Sequence, residues 1–97
     1  LNKESDNTLI LAGEIVSLEP ARFSPAGVPI AKALIRHESW QSGQKMQCEL
    51  VVAAQGEIAK RLGNLKPGKR IRASGPISRA SQNSRNLLMW IEHLTEE

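Results

Sequence analysis

The stretch from Lys66 to Arg79, Lys-Pro-Gly-Lys-Arg-Ile-Arg-Ala-Ser-Gly-Pro-Ile-Ser-Arg, constrains the fold more than any other part of the chain. Pro67 has its φ pre-set for the second position of a turn, and Gly68 can take the positive φ that the third position of a type II turn demands. Behind the turn the side chains alternate. Ile71, Ala73 and Ile77 share one parity and Arg70, Arg72 and Ser74 the other, the pattern of a strand with one wet face. Gly75-Pro76 interrupts that strand, as at a bulge, corner or sheet edge. The stretch also holds most of a basic patch.

The charge is unevenly spread. The formal net charge is +3 over 97 residues, yet no Asp or Glu occurs between Ile58 and Ile91, where eight cations fall: Lys60, Arg61, Lys66, Lys69, Arg70, Arg72, Arg79 and Arg85. Acids gather towards the ends, in Glu4, Asp6, Glu92, Glu96 and Glu97. Such asymmetry points to a polyanionic partner, or else to a solvated basic face. A chain this short has room for one modest core, so oligomerisation is expected to supplement its stability. A single Cys48 excludes an internal disulfide and a cysteine-rich zinc site. No apolar run approaches a membrane span and no secretory signal is visible, so the expected compartment is intracellular. The sequence begins with Leu1 rather than Met, as a trimmed end would.

Taken in order, residues 1–7 are expected to be a disordered segment and residues 8–97 one domain. Thr8 to Leu18 alternates around Gly13, predicting a long first strand bent at the glycine, which lets it serve both halves of a small barrel. Glu19 to Val28 is a loop, closed by a type I turn at Ser24-Pro25-Ala26-Gly27. Pro29 to Trp40 is the second strand, with Ala31, Ala33, Ile35 and His37 towards the core and Lys32, Leu34, Arg36, Glu38 and Trp40 outward. Gln41-Ser42-Gly43-Gln44 turns into a third strand, Lys45 to Ala53. Gly56 to Leu62 reads as a short helix that caps the core through Ile58, Leu62 and Leu65, with Gly63 at its C-terminal cap. The fourth strand is the opening stretch. A polar loop, Ala80 to Asn86, leads to a fifth strand, Leu87 to Leu94, with Leu87, Met89 and Ile91 on one face and Leu88 and Trp90 on the other.

Three strands, a helix and two strands is the order of an all-β OB-fold, a five-stranded barrel that binds oligonucleotides on its second and third strands and on the first and last of its long loops. On that frame the cations and aromatics converge. Arg22 and Phe23 lie in the first loop, Lys32, Arg36 and Trp40 on the second strand, Lys45 at the start of the third, and Arg79 and Arg85 beside the last loop. Cations neutralise phosphates while aromatic faces stack on bases, which implies little sequence preference. Each aromatic has a plainer role open to it: Trp40 packing at the hairpin mouth, Phe23 plugging the barrel end. An apolar outer strand face reads as an interface, so Leu88 and Trp90 are expected at a homodimer contact. His37 and His93 have no neighbours at ligand spacing and are assigned structural roles. No nucleophile elbow, phosphate loop, metal-spaced cluster or paired carboxylate occurs, so neither an enzyme nor a cofactor is expected.

Several segments resemble the primosomal replication protein PriB family: Asn7-Thr8-Leu9-Ile10-Leu11-Ala12-Gly13, Phe23-Ser24-Pro25-Ala26-Gly27-Val28-Pro29, Ile35-Arg36-His37-Glu38-Ser39-Trp40, Met46-Gln47-Cys48-Glu49-Leu50, Gly75-Pro76-Ile77-Ser78 and Trp90-Ile91-Glu92-His93-Leu94. The resemblance runs from Asn7 to Leu94. It implies an OB-fold homodimer related to single-strand DNA-binding proteins, cytoplasmic and nucleoid-associated in a bacterium. Such a protein binds single-stranded DNA and helps a PriA-type helicase restart replication forks, in some species with a DnaT-type loader. Arg22 matches a DNA-contacting position, while Arg79 and Arg85 match the basic last loop only in character. Three departures reduce the implied DNA face: Gln47 replaces a stacking Trp, Glu38 stands where a cation can occur, and Pro76 where an aromatic often follows the glycine. Weak binding to single strands is therefore expected, with Trp40 as a partial substitute. The alternatives are a bridging module with remnant DNA affinity, and a single-strand binding protein without the acidic tail, for which three residues after Leu94 leave no room.

Overall fold

The computed structural model describes residues 5–97; of the segment 1–7 assigned to disorder, residues 1–4 lie outside the described residues. Asn7 exchanges two 2.9 Å hydrogen bonds with the main chain of Ile77. The elements are β1 (Leu9–Leu18), β2 (Arg22–Phe23), β3 (Pro29–Gln41), β4 (Gln44–Gln55), α1 (Glu57–Gly63), β5 (Arg70–Gly75), β6 (Ile77–Arg79), β7 (Leu87–Trp90) and β8 (His93–Glu96). They make one curled sheet in the order β6-β7-β4-β3-β1-β5-β8, with β2 added to β3.

β1 changes partner at Gly13 and Glu14. Leu9 to Glu14 pairs with β5, and Glu14 to Leu18 pairs with β3 across a bulge between Ile15 and Ser17. The irregularity thus lies beyond the glycine where a bend is expected, and at Gly13 itself the backbone of β3 comes so close that a Cβ would lie 2.6 Å from the Arg36 carbonyl oxygen. The Lys66–Lys69 turn forms as its residues require, with Gly68 at φ 95° and the Lys69 amide donating to Lys66 O at 3.1 Å. It is pinned to β1, since the Gly68 amide donates to Ile15 O and the Ile15 amide to Lys69 O.

Two bent strands bring the ends of the sheet together. β5 and β6 meet at Gly75–Pro76, β7 and β8 at Ile91–Glu92, and the halves pair as β6 with β7 and β5 with β8. The continuous strand expected from Leu87 to Leu94 is therefore two strands with a corner. β7 runs parallel to β4 and antiparallel to β6, and past the corner β8 runs antiparallel to β5. The expected alternation holds for Met89 and Ile91, which lie in the core cluster, and for Leu88, which is buried outside it. Leu87 is the exposed residue.

The core is apolar: Ile15, Ala31, Ala33, Ile35, Val52, Ile71, Ala73, Met89, Ile91 and Leu94, closed at one end by Ala59 and Leu62 of α1. Leu62 is fully buried, and Ile58 and Leu65 pack beside it half-buried. Gly63 is the last helical residue rather than the cap. Asn64 takes that position in an ordinary right-handed conformation, its amide donating back into the helix. Gly56 at φ 70° starts the helix, its amide donating to Pro29 O at 3.0 Å, and Arg61 Nη2 donates to Leu94 O. These two bonds tie α1 to β3 and β8.

Candidate nucleic-acid interface

The β3–β4 hairpin carries the outer face on which half of the expected contacts lie, namely Lys32, Arg36, Trp40 and Lys45. Ser42 and Gly43 form its two-residue turn with φ 52° and 78°, the doubly left-handed geometry that matches strand twist. Counting outward from that turn places Trp40 opposite Lys45, Glu38 opposite Gln47, Arg36 opposite Glu49, Leu34 opposite Val51 and Lys32 opposite Ala53. Trp40 is 72% exposed and does not pack at the hairpin mouth. His37 holds the root of the hairpin, with Nδ1 donating to Ala12 O at 2.6 Å and Nε2 accepting from Ser39 Oγ at 2.8 Å.

Two of the expected phosphate-binding cations are engaged within the sheet. Arg36 pairs with Glu49 at 3.2 Å, and Lys45 with Glu38 at 3.6 Å. Gln47 Nε2 donates to Glu38 at 3.1 Å, and this bond together with the Lys45 charge holds the Glu38 carboxyl below the usual carboxylate range. Glu14 lies in register between Arg70 of β5 and Arg36 of β3, so a row of alternating charge, Arg70, Glu14, Arg36, Glu49, crosses four strands. The middle of the face is electrically balanced. The two ion pairs are about half exposed, so they are weak and a phosphate can compete for the cations.

Unbalanced positive charge lies at the two ends of the hairpin's root. At one, Arg22 and Phe23 form β2 against Ile30 and Pro29. Phe23 is 69% exposed and does not plug the barrel. The turn that presents them uses Gly27 at φ 84° and a bond from the Gly27 amide to Ser24 O, while Ser24 Oγ accepts from the Val28 amide. Lys32 is half-buried two residues beyond Ile30. At the other end, the loop between β6 and β7 forms a hollow lined by Arg79, Gln82, Asn83, Ser84, Arg85 and Leu87. Arg79 Nη1 donates to Gln82 O and shapes this loop, and both Arg79 and Arg85 are exposed. Because Leu88 pairs with Val51, the loop enters β7 beside the Glu49–Leu50 part of β4.

Of the expected interface pair, only Leu88 is covered by the chain itself. Leu88 is 2% exposed within the chain itself, lodged beside Val51 of β4 and Ser78 of β6, so it has no free surface to offer a second copy. Trp90 is half-buried beside Ala53. Sequence reasoning also missed that α1 contributes to the first-loop end. Ala59, Lys60, Gly63 and Asn64 line a cleft together with Arg22, Phe23, Pro29 and Ile30. The signal was available, because Lys60 lies one residue after core-facing Ala59, on the helix's outer flank. Among the described residues, no group of three or more His, Cys, Asp or Glu side chains is arranged to hold a metal ion. Among the same residues no helix is long and apolar enough to cross a membrane.

Comparison with known proteins agrees with this architecture. A family model described as another single-strand binding protein family matches residues 7–93. Replication restart protein PriB of Neisseria meningitidis serogroup B is 27% identical over 94 residues, covering 94% of each chain. The protein of that name from Photorhabdus laumondii is 30% identical over 77 residues, covering 74% of this chain and 73% of its own. Among solved structures, PriB from Ralstonia solanacearum superposes with a TM-score of 0.85 at 24% identity, over 96% of this chain and 100% of that one. A small single-stranded DNA-binding protein from Streptomyces coelicolor gives 0.77 at 13% identity, over 97% and 96%. The OB-fold expected from the order of elements is thus the fold of the molecule.

Proposed function

The chain belongs to the PriB family of single-strand-binding-type proteins, and from that premise we propose that it binds single-stranded DNA, with little sequence preference, as an accessory of replication restart. The observation that carries this reading is the exposure of Phe23 and Trp40 near opposite ends of β3, the strand that also bears Lys32. Arg22 lies beside its start and Arg85 in the loop beside β4, neither in an ion pair among the described residues. Stacked bases on the rings and phosphates on the cations need no base-edge readout. The balanced middle of the β3–β4 face supports weak rather than tight binding. We assign the protein the further roles of stimulating and bridging to a PriA-type helicase, with a DnaT-type loader where one exists, and of acting as a homodimer.

The test is fluorescence anisotropy of a labelled oligo-dT strand titrated with protein at several salt concentrations. Affinity should fall linearly on a log–log scale, and the slope divided by roughly 0.7 should give about three to five phosphates. Arg22→Ala and Arg85→Ala should each reduce that slope by about 0.7. The charge row from Arg70 to Glu49 favours one second reading, a protein-bridging module with remnant DNA affinity. Absence of binding even at low salt would leave only that reading.

A further inference from the structure

We propose that the cleft between β2 and α1 is a nucleotide subsite, in which one base of a bound single strand lies against Phe23 and its phosphate is held between Arg22 and Lys60. This deepens the single-strand-binding reading and rests on it. The cleft has a volume of about 310 Å³ and is lined by Arg22, Phe23, Pro29, Ile30, Ala59 and Lys60, among others. That volume is at the lower end for a small-molecule site, enough for one nucleotide and too little for a folded segment. One wall is the exposed Phe23 ring and the floor is apolar, so a base can be stacked and desolvated there.

The electrostatics select an anion. No carboxylate lines the cleft. Arg22 forms no ion pair among the described residues, and Lys60 meets only Glu57, its neighbour one turn back on the exposed side of α1, at 2.8 Å. Arg22 pairs with Ile30, which has the outward parity of Lys32, so a strand crossing Lys32 meets Arg22 at the rim of the cleft. The helix, assigned by the sequence only to closing the core, thereby becomes part of the binding surface. An acidic peptide would also meet the two cations. An open aromatic ring beside them favours a base with its phosphate.

Two variants isolate the cleft from the rest of the surface. Lys60→Gln removes a cation. Gly63→Phe fills the space, since an added Cβ at Gly63 meets nothing within 4 Å and its backbone is not left-handed. Arg72→Gln, an exposed cation on β5, controls for net charge. In anisotropy titrations with oligo-dT, Gly63→Phe should weaken binding about five-fold or more. Lys60→Gln should lower the salt slope by about 0.7. Arg72→Gln should change neither, and thermal melts should confirm that all three fold. In amide correlation spectra of the wild-type protein, oligo-dT should shift Ala59 and Gly63.

Wild-type binding with both cleft variants unaffected would overturn the subsite and leave the DNA-binding reading intact. No wild-type binding at all would overturn both. Shifts at Ala59 and Gly63 caused by an Asp/Glu-rich peptide, but not by oligo-dT, would assign the cleft to a protein partner and overturn the proposal.

Discussion

A Cβ added at Gly75 would sit 1.8 Å from the Trp90 carbonyl oxygen, and one at Gly13 would sit 2.6 Å from that of Arg36. Both obstacles are backbone, so no change of rotamer relieves them, and the strands themselves must separate. Gly75→Ala should therefore destabilise by about 3 kcal/mol, the upper end of the usual overpacking cost, and Gly13→Ala by roughly 1–3 kcal/mol. Urea unfolding midpoints measure both, and a Gly75→Ala protein as stable as the parent would show that the corner is not built on this approach. The sequence marks both positions as interruptions of an alternating pattern. It does not say what approaches them, because Trp90 and Arg36 arrive from strands far along the chain.

In the β3–β4 hairpin, the turn at Ser42-Gly43 sets every cross-strand pair, and with them the trio Glu38, Lys45 and Gln47. The amide bond from Gln47 and the Lys45 charge lower the Glu38 pKa in the folded protein. The sign follows from linkage. The stabilisation is fully present above the unfolded-state value for Glu and is lost as pH falls through the lower folded value. A carboxyl-carbon NMR titration should find Glu38 below an ordinary glutamate, and Gln47→Ala should move it upward. An ordinary value in the wild type would mean that the trio is not formed in solution. The sequence contained this register once the turn was placed, yet Arg36 and Lys45 were read as free cations. Strand parity says which residues share a face, and only pairing says which of them neutralise one another.

For the whole molecule, the open question is how a 97-residue chain with a small core is stabilised. The homodimer implied by the family has to use a surface other than Leu88, which the chain's own β4 and β6 bury. Light scattering on eluting protein should give twice the 10.7 kDa chain mass, with a melting temperature that rises with concentration. A monomer mass at every concentration, with a constant melting temperature, would remove the homodimer from the proposed function.

The sequence by itself determined the local chemistry: the Pro67-Gly68 turn, the parity of β3 and β5, the position of α1, and through their order the OB-fold. Each follows from backbone preferences or from a periodicity of two within a few neighbouring residues. Tertiary structure alone decided the rest. Whether Leu88 is left uncovered depends on β4 and β6 arriving on either side of β7. Whether Lys60 belongs to a binding surface depends on α1 docking beside β2, with Gly56 bonded to Pro29. Burial and charge pairing are properties of neighbours in space, and in a curled sheet those neighbours come from strands that no local pattern connects.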